Sequence, residues 1–375
     1  MAEELRLLYS DEYIKHIALN LSQLSSEISL NISEEKFSEM VLSNGWGDLP
    51  LKQRMTRLTE TLHDFLPNSY PESIEILKKL LPKSVGVQKY DDMLTMFIPE
   101  YVFSYGMDTE NWDISLDALE YFTSNGTSSE FAIRPFIIAD RKRVMEQMLR
   151  MASSADKNIR RFSSEGCRPR LPWAEALPEL KKDPSEIFLI LDLLKKDESK
   201  FVQKSVANNL NDISKDNPEM VLEFARRNIG DNKITDWILK HGCRTMLKKS
   251  DKDFLELFGV KDINIENAKI KLVNSQIKFG SSVEFEFSAE IANYNAKSSE
   301  VLRIEYGIDF MKSNGKTSRK IFKISESALS SQKIELAKKH KFINYTTRKH
   351  YEGEHNLAII INGREVAAKS FKLYF

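Results

Sequence analysis

Residues 163–173 read Ser163-Ser164-Glu165-Gly166-Cys167-Arg168-Pro169-Arg170-Leu171-Pro172-Trp173. The stretch brings one carboxylate, two guanidiniums and an indole together at the end of a basic helical segment that begins at Lys157. Pro169 and Pro172 lack an amide proton and disfavour helical geometry in the residue before each of them. The sequence therefore predicts that a helix ends here in a charged, irregular loop. A lone carboxylate, Glu165, among these cations suits an anionic ligand that also develops positive charge.

The residues around this stretch, from 1 to 262, repeat apolar side chains at the three- and four-residue spacing of amphipathic helices. One such stripe consists of Ile14, Ile17, Ala18, Leu21 and Leu24. Ser33 precedes a second helical pattern as a candidate N-cap, and Pro71 stands at the start of a third. These patterns predict short helices joined by polar breaks.

An internal repeat relates three of the predicted helices. Shifting residues 159–167 by 43 positions gives residues 202–210, and a further shift of 33 gives residues 235–243. Glu165 then aligns with Asn208 and His241, so polar residues recur at one helix end. Degenerate helical repeats of this length are typical of a HEAT-like solenoid, whose stacked helices create a concave surface. We therefore predict an all-α HEAT-like helical solenoid for residues 1–262.

The pattern changes its period near residue 262. Val283-Glu284-Phe285-Glu286-Phe287 is one of several segments that alternate apolar and polar residues, which is the periodicity of strands. Asn362-Gly363 separates two apolar runs and predicts a two-residue hairpin turn. About seven short strands fit an all-β immunoglobulin-like sandwich. The chain is thus predicted to be multidomain, with the sandwich in residues 263–375.

Charge is balanced over the chain and uneven along it. The 375 residues include 55 basic and 55 acidic side chains. From residue 265 onward there are 19 lysines and arginines against 12 aspartates and glutamates, a net charge of +7. Such an asymmetry indicates either a polyanionic partner for the C-terminal part or simply a solvated basic surface.

The cysteines and the apolar segments bear on where the protein works. Two cysteines, Cys167 and Cys243, do not make a disulfide framework in a chain of this length. The N-terminal residues lack the pattern of a signal peptide, and no apolar run approaches the roughly 18 residues of a membrane span. We expect a cytoplasmic protein that does not enter a membrane.

Several catalytic classes are disfavoured by missing motifs. The sequence has no Walker loop, nucleophile elbow, dinucleotide fingerprint or cysteine pair at zinc spacing. Only His350 and His355 lie close together among the histidines, and a turn between strands accounts for them better than a metal site does. An enzyme of this sequence is expected to use carboxylates, with no metal, no nucleotide and no other cofactor.

Three stretches together carry a resemblance to a known family. They are residues 163–173, Ser128-Ser129-Glu130-Phe131-Ala132-Ile133-Arg134-Pro135-Phe136, and Val202-Gln203-Lys204-Ser205-Val206-Ala207-Asn208-Asn209-Leu210-Asn211-Asp212. In this order they resemble the bacterial DNA alkylation-repair glycosylases of the AlkC and AlkD superfamily, and the AlkC branch most closely. The C-terminal part resembles the immunoglobulin-like domain that some AlkC proteins carry.

The resemblance implies an activity and the residues that perform it. The expected reaction is hydrolysis of the N-glycosidic bond of a cationic alkylated base, N3-methyladenine or N3-methylcytosine, in duplex DNA. Such a base already carries a positive charge, so its departure needs no general acid. The site must stabilise an oxocarbenium-like sugar and position a water, as carboxylates do in glycoside hydrolysis. The implied catalytic residues are Glu165, Glu130, Asp212 and Trp173, with the Trp173 ring against the damaged nucleotide.

Each of these residues also has a structural interpretation. Glu165 could be a surface carboxylate paired with a neighbouring arginine. Glu130 could be a first-turn residue favoured by the helix dipole. Asp212 could be an ordinary carboxylate at a helix end, and Trp173 an aromatic side chain that packs into the core.

Basic side chains around these motifs are candidates for binding DNA phosphates. In the helical part they are Arg160, Arg161, Arg168, Arg170 and Lys204. In the C-terminal part a basic stretch from Lys338 to His350 resembles a DNA-contacting loop. Its candidate contacts are Lys341, Thr346, Thr347, Arg348 and Lys349. Relatives with the extra domain are understood to use it as a clamp on the minor-groove side of the duplex.

Two other functional classes remain open from the sequence. One is a non-catalytic HEAT-like protein that binds distorted or branched DNA. The other is a protein–protein scaffold, a common use of solenoids. The four implied catalytic residues favour a monomeric glycosylase that binds duplex DNA, and the basic stretches disfavour a scaffold.

Overall fold

The computed structural model describes residues 6–27, 32–84, 91–295, 300–344 and 349–375. The chain forms two compact units. One comprises Met1–Val221 with Asn228–Gly242, and the other comprises Leu222–Arg227 with Cys243–Phe375.

The first unit is built from helices. They are α1 (Asp11–Glu27), α2 (Glu34–Leu42), α3 (Leu51–Phe65), α4 (Tyr70–Ser84), α5 (Asp91–Leu94), α6 (Phe97–Tyr105), α7 (Trp112–Ser124), α8 (Ile133–Ala139), α9 (Arg141–Met151), α10 (Lys157–Gly166), α11 (Pro178–Lys182), α12 (Ser185–Leu194), α13 (Lys200–Ile213), α14 (Pro218–Asn228) and α15 (Lys233–Gly242). Trp46–Asp48 forms a 3-10 turn. Helix α14 contributes residues to both units.

A continuous row of helices runs through this unit. Its members are α4, α7, α10, α13 and α15, and each packs against the next. The last three are the helices that the internal repeat relates, so equivalent sequence positions occupy neighbouring helices. This stacking confirms the predicted HEAT-like solenoid.

Local sequence signals set the ends of these helices. The Ser33 side chain accepts a hydrogen bond of 3.2 Å from the amide of Lys36, as expected of an N-cap. Helix α4 begins at Tyr70, with Pro71 in the first turn, where a missing amide proton costs no intrahelical hydrogen bond. Both predicted helix starts are confirmed.

Besides Leu222–Arg227 of α14, the described part of the second unit contains two short helices and two sheets. The elements are α16 (Arg244–Lys248), α17 (Lys252–Leu257), β1 (Ile265–Leu272), β2 (Gln276–Lys278), β3 (Ser282–Ile291), β4 (Val301–Met311), β5 (Thr317–Ala328), β6 (Lys333–Lys341), β7 (Gly353–Ile361) and β8 (Arg364–Tyr374). One sheet has the strand order β1-β3-β6 and the other β2-β8-β7-β4-β5. Only the β2–β8 pair among the described strands is parallel. The two sheets enclose an apolar core, which confirms the predicted sandwich.

The turn between β7 and β8 has the predicted geometry. Ile361 pairs directly with Arg364, so the loop has two residues. Asn362 and Gly363 both adopt positive φ, 48° and 84°, as a two-residue hairpin turn requires. A Cβ on Gly363 would lie 2.5 Å from Cδ1 of Leu255, so glycine also permits a close approach to α17.

Part of the predicted DNA-contacting loop is a strand, which corrects the prediction. Lys338–Lys341 belongs to β6 and pairs with β3, with Lys341 opposite Ser282. The lysine-rich sequence conceals a strand pattern whose apolar positions are Ile334 and Leu336. Since β6 is an edge strand, its exposed lysines protect the sheet from pairing with other chains.

The change of secondary structure and the division into compact units give different positions for the boundary between the predicted domains. Secondary structure changes from helix to strand between Leu257 and Ile265. The compact unit that contains the strands instead includes α16 and α17 as well, from Cys243 onward. A boundary at residue 262 therefore stays a prediction.

Candidate active site

Helix α10 presents Glu165 in its last turn. Its N-cap is Asp156, whose carboxylate accepts a hydrogen bond of 2.8 Å from the amide of Asn158. At the other end, a Cβ on Gly166 would lie 2.7 Å from Cε of Met148 and 2.9 Å from Cγ2 of Ile133. Glycine at this position lets the end of α10 lie against α8 and α9. The close packing fixes where the carboxylate stands.

Glu165 is buried and fully engaged. Only 7% of the surface of Glu165 is exposed to solvent. Its Oε1 accepts a hydrogen bond of 2.6 Å from Nη1 of Arg168, and its Oε2 accepts one of 2.7 Å from the Ser205 hydroxyl on α13. Nη2 of Arg161 lies 3.8 Å from Oε1. The ion pairs considered from the sequence are present, although the carboxylate is not on the surface.

Glu130 lies in the turn between α7 and α8 and is also buried. Its Oε1 forms an ion pair with Nη1 of Arg161, and its Oε2 accepts a hydrogen bond from the Ser128 hydroxyl. Arg161 therefore bridges Glu130 and Glu165. The Arg161 guanidinium also lies over the Phe201 ring, with its central carbon 4.5 Å from the ring centroid.

Asp212 lies near the end of α13 and is buried beside Arg168. Its Oδ2 accepts a hydrogen bond of 2.8 Å from Nε of Arg168 and lies 2.7 Å from Nη2 of the same guanidinium. Its Oδ1 accepts a hydrogen bond of 2.9 Å from Lys215. Burial alone would lower the pKa of Arg168, but the charges of Glu165 and Asp212 outweigh burial and raise it. Arg168 is therefore a permanent cation between two carboxylates.

These contacts form one chain of alternating charge, which we call the ionic ladder. It consists of Glu130, Arg161, Glu165, Arg168, Asp212 and Lys215. Removing ions from water is costly unless each meets an opposite charge in good geometry. The alternation therefore allows three carboxylates from three separate elements to be held together away from solvent. The structure thus brings Glu165, Glu130 and Asp212 together.

Trp173, in the segment after α10, is 51% exposed. Its backbone has φ of +66°, a left-handed conformation that non-glycine residues rarely adopt. Its carbonyl accepts a hydrogen bond from Nζ of Lys52 on α3. Because the indole is exposed, the core-packing interpretation of Trp173 does not hold, and its contact with DNA stays a prediction.

A pocket of about 560 Å³ lies beside the Trp173 ring. Its walls are mainly apolar and include Met55, Met96 and Phe131. The charged residues that line it are Arg6, Asp48 and Lys52. Nζ of Lys52 is 5.1 Å from the centroid of the Phe131 ring. Phe131 directly follows Glu130, so the pocket lies next to one member of the ladder.

The other predicted phosphate ligands of the helical unit have different surroundings. Arg160 makes a two-pronged ion pair with Asp197, at 2.5 and 3.2 Å. Arg170 makes a similar pair with Asp216, at 2.7 and 2.6 Å. Lys204 is exposed on α13. DNA would have to compete with carboxylates for the arginines, whereas Lys204 is accessible as it stands.

Two of the predicted DNA contacts of the sandwich, Lys341 and Lys349, lie within the described residues. Lys341 at the end of β6 and Lys349 before β7 are both exposed. Thr346, Thr347 and Arg348 lie outside the described residues. The DNA-binding role of all five stays a prediction.

Several residues of the site were not singled out by sequence reasoning. Ser128, Ser205 and Lys215 bind ladder carboxylates, and Arg134 binds the backbone of the loop after α10. The first two and Arg134 lie inside the motifs that carry the family resemblance. Their residue types alone did not indicate a role in the site, because serines and arginines occur in many structural positions of a helical protein.

Over the part of the chain that the structure describes, no three His, Cys, Asp or Glu side chains are grouped so that they could hold a metal ion. None of the described helices is both long enough and apolar enough to span a membrane.

Two protein families match this chain. Residues 105–246 match a family described as DNA alkylation repair enzyme, and these residues contain the whole ladder. Residues 266–374 match a family described as the C-terminal Ig-like domain of the uncharacterised protein YhaZ.

Individual proteins match over nearly the whole length. The uncharacterized protein YhaZ of Bacillus subtilis (strain 168) is 37% identical over 372 residues, which cover 99% of both chains. The solved structure of Pseudomonas fluorescens alkylpurine DNA glycosylase AlkC, bound to DNA containing an abasic site analog, is similar with a TM-score of 0.89. That protein is 32% identical, and the match covers 99% of each chain. The chain therefore belongs to the DNA alkylation repair enzyme family, in the AlkC branch that carries a C-terminal immunoglobulin-like domain.

Proposed function

We propose that this protein is a DNA glycosylase of base excision repair that releases cationic N3-methylated bases, N3-methyladenine and N3-methylcytosine, from duplex DNA. The observation that carries the proposal is the ionic ladder, which holds Glu130, Glu165 and Asp212 beside a loop with an exposed indole. Ordinary structural ion pairs explain single members of this set, but they do not explain three buried carboxylates, one from each of the three motif stretches, joined by shared arginines.

The chemistry follows from the charge of the leaving base. A base methylated at N3 departs as a neutral molecule, so the electrons of the broken bond stay with the base and positive charge develops on the sugar. A preorganised carboxylate stabilises that charge without reorganising at the moment of reaction. We assign this role to Glu165, at the centre of the ladder. Glu130 and Asp212 flank it, and one of them positions the water that attacks the sugar.

The family relationship supports duplex DNA as the partner. The P. fluorescens relative was solved with DNA that contains an abasic site analog, which resembles the product of base release. In this chain, Lys204 and the paired guanidiniums of Arg160 and Arg170 are the proposed phosphate contacts of the helical unit. We propose that the protein acts as a monomer.

Binding to undamaged duplex is expected to depend steeply on salt, because each neutralised phosphate adds roughly 0.9 to the slope of log affinity against log salt. Lys204→Ala removes one accessible cation and is expected to lower that slope by about 0.9. Fluorescence anisotropy over a series of salt concentrations measures the slope. Lys79→Ala, which removes an exposed lysine of α4, is the control. A slope that is unchanged by Lys204→Ala would remove Lys204 from the interface.

The sandwich is proposed to clamp DNA through the region from Lys341 to Lys349. Lys341→Glu with Lys349→Glu is expected to weaken duplex binding by about tenfold or more, since two attractive charges become repulsive. The control is Lys269→Glu with Lys333→Glu, which alters net charge equally at exposed positions of β1 and at the other end of β6. Duplex affinity is measured for both double variants, and their excision rates at saturating protein show whether catalysis itself has changed. If the two double variants bind equally, the clamp proposal is wrong.

The proposed function is tested by identifying what the protein releases. Methylated duplex DNA is incubated with the purified protein, and free bases are identified by mass spectrometry. We expect N3-methyladenine and N3-methylcytosine together with new abasic sites. Tight binding to the duplex without release of any base would favour the non-catalytic DNA-binding alternative.

A further inference from the structure

Residues 166–175 form a segment that leads from the end of α10 towards α11. Its backbone hydrogen bonds include those from Ala174 to the carbonyl of Leu171 and from Leu177 to that of Pro169, both 3.2 Å. Pro169 and Pro172 donate no amide hydrogen bond. Trp173 adopts the left-handed conformation, which raises its energy because its Cβ crowds the backbone. A conformation of this kind persists only where the surrounding structure over-determines it. Contacts from surrounding side chains therefore add to the backbone hydrogen bonds that hold residues 166–175 in place.

Arg134 donates three hydrogen bonds to the backbone of this segment. Its residue is 1% exposed, and its guanidinium donates to three backbone carbonyls of the segment. The acceptors are the carbonyls of Gly166 at 3.0 Å, Arg168 at 2.8 Å and Glu175 at 2.5 Å. Gly166 and Arg168 stand at the beginning of the segment 166–175, and Glu175 stands at its end. One planar group thus fixes both ends of the loop.

The hold extends to the ionic ladder. The carbonyl of Arg168 binds Arg134, while the side chain of Arg168 binds Glu165 and Asp212. A shift of the Arg168 backbone would therefore move the cation between two proposed catalytic carboxylates. Arg134 itself has no described carboxylate in its hydrogen-bond shell, and burial lowers its pKa to about 10. Burying the Arg134 cation costs free energy, and its three hydrogen bonds to backbone carbonyls offset part of that cost.

Lys52 holds the same segment at another point. It extends from α3 and donates to the carbonyl of Trp173, so the strained residue is anchored directly. Arg134 and Lys52 come from different helices and bind different carbonyls. Together they bind the carbonyls of Gly166, Arg168, Trp173 and Glu175.

We infer that Arg134, assisted by Lys52, is a positioning residue that places Arg168 and Trp173 for base excision. The inference rests on the proposed glycosylase function. The guanidinium needs its fork of donors for this task, because lysine offers a point charge that cannot reach separate carbonyls in one plane. A displacement of about 1 Å at a reacting site can cost roughly a hundredfold in rate.

The first test compares Arg134→Lys with the wild-type protein in single-turnover excision of N3-methyladenine at saturating protein. We expect the rate to fall roughly 10- to 100-fold while DNA affinity changes by less than about threefold. The matched control is Arg54→Lys. Arg54 is another buried arginine and donates to the carbonyls of Leu49, Arg6, Tyr9 and Gly47. It binds no carbonyl of residues 166–175, so its variant is expected to lose stability but keep its excision rate.

The second readout does not need activity. Trp46 and Trp112 are buried, so in a Trp237→Phe background acrylamide quenching reports mainly on Trp173. Arg134→Lys and Lys52→Met are both expected to change the quenching of Trp173, whereas Arg54→Lys is expected to leave it unchanged. Lys52→Met also decides the case if Arg134 variants do not fold, because Lys52 is at the surface.

The outcomes separate the inference from the proposed function. If the wild-type protein releases no base, the glycosylase proposal fails, while quenching still reports whether Arg134 and Lys52 hold Trp173. If base is released and Arg134→Lys keeps a rate within about twofold of wild type, the positioning role is wrong. An equal loss of rate in Arg54→Lys would also overturn it, since the effect would then be general destabilisation. Unchanged quenching in Lys52→Met would remove Lys52 from the proposal, and if Arg134 variants do not fold, that result would overturn the inference that side-chain contacts position Trp173.

Discussion

Glu165→Gln is expected to slow release of N3-methyladenine by on the order of 10²- to 10³-fold, because one preorganised charge at the developing oxocarbenium ion is lost. The substitution keeps the shape of the side chain. Its carbonyl oxygen can still accept from Arg168 in the place of Oε1, and its amide nitrogen in the place of Oε2 can donate to the Ser205 hydroxyl. DNA affinity is therefore expected to change little. Single-turnover rates at saturating protein, with affinity measured separately, test both parts of this expectation.

The matched control for this variant is Glu305→Gln. Glu305 is also a buried glutamate, and its Oε1 pairs with Arg303 at 2.5 Å within the sandwich. Both variants remove a buried negative charge from an arginine partner, so both are expected to lose stability. Only Glu165→Gln is expected to lose chemistry. Near-normal excision by Glu165→Gln would show that Glu165 is a structural ion-pair residue.

Arg168→Met is expected to destabilise the helical unit by about 3–5 kcal/mol, because removing one partner leaves buried charges uncompensated. Arg168 is the cation that Glu165 and Asp212 share, and the variant leaves both without it. Denaturant unfolding followed by far-UV circular dichroism measures the loss. Where the variant remains folded, excision is expected to fall by on the order of 10²-fold, since the carboxylates lose their fixed positions.

Arg303→Met offers a close comparison. Arg303 is a buried arginine between two carboxylates, at 2.5 Å from Glu305 and 2.6 Å from Glu326. Its loss is expected to destabilise the sandwich to a similar extent and to leave the single-turnover rate unchanged. If Arg168→Met unfolds no more easily than the wild-type protein, Arg168 does not compensate the charges of the ladder carboxylates.

Much of the fold could be predicted because its signals are local or periodic. The repeat that relates residues 159–167, 202–210 and 235–243 corresponds to α10, α13 and α15, which stack in order. Asn362-Gly363 predicted its hairpin because both residues tolerate positive φ. These features need no knowledge of distant parts of the chain.

Other features depend on contacts that a sequence pattern does not contain. Strand β6 was not predicted, because its lysines obscure the two apolar positions that face the core. The same limit applies to the arginines of the site. A guanidinium suits phosphate and carboxylate equally well, so the local sequence could not show that Arg161 and Arg168 lie between carboxylates from other elements. The group of acidic residues was predicted from family motifs, and an arginine partner for Glu165 was considered from the sequence. The pairing of the same arginines with Glu130 and Asp212 was found only in the structure.

The central claim is that buried carboxylates stabilise the sugar while a cationic base leaves. It is tested most directly by single-turnover excision at saturating protein, on two duplexes that each contain one methylated base. One contains N3-methyladenine, which is cationic, and the other contains O6-methylguanine, which is neutral. We predict that the wild-type protein releases N3-methyladenine, that Glu165→Gln releases it far more slowly, and that O6-methylguanine stays in the DNA. No release of N3-methyladenine from DNA that the protein demonstrably binds, or equal release of both bases, would contradict the claim.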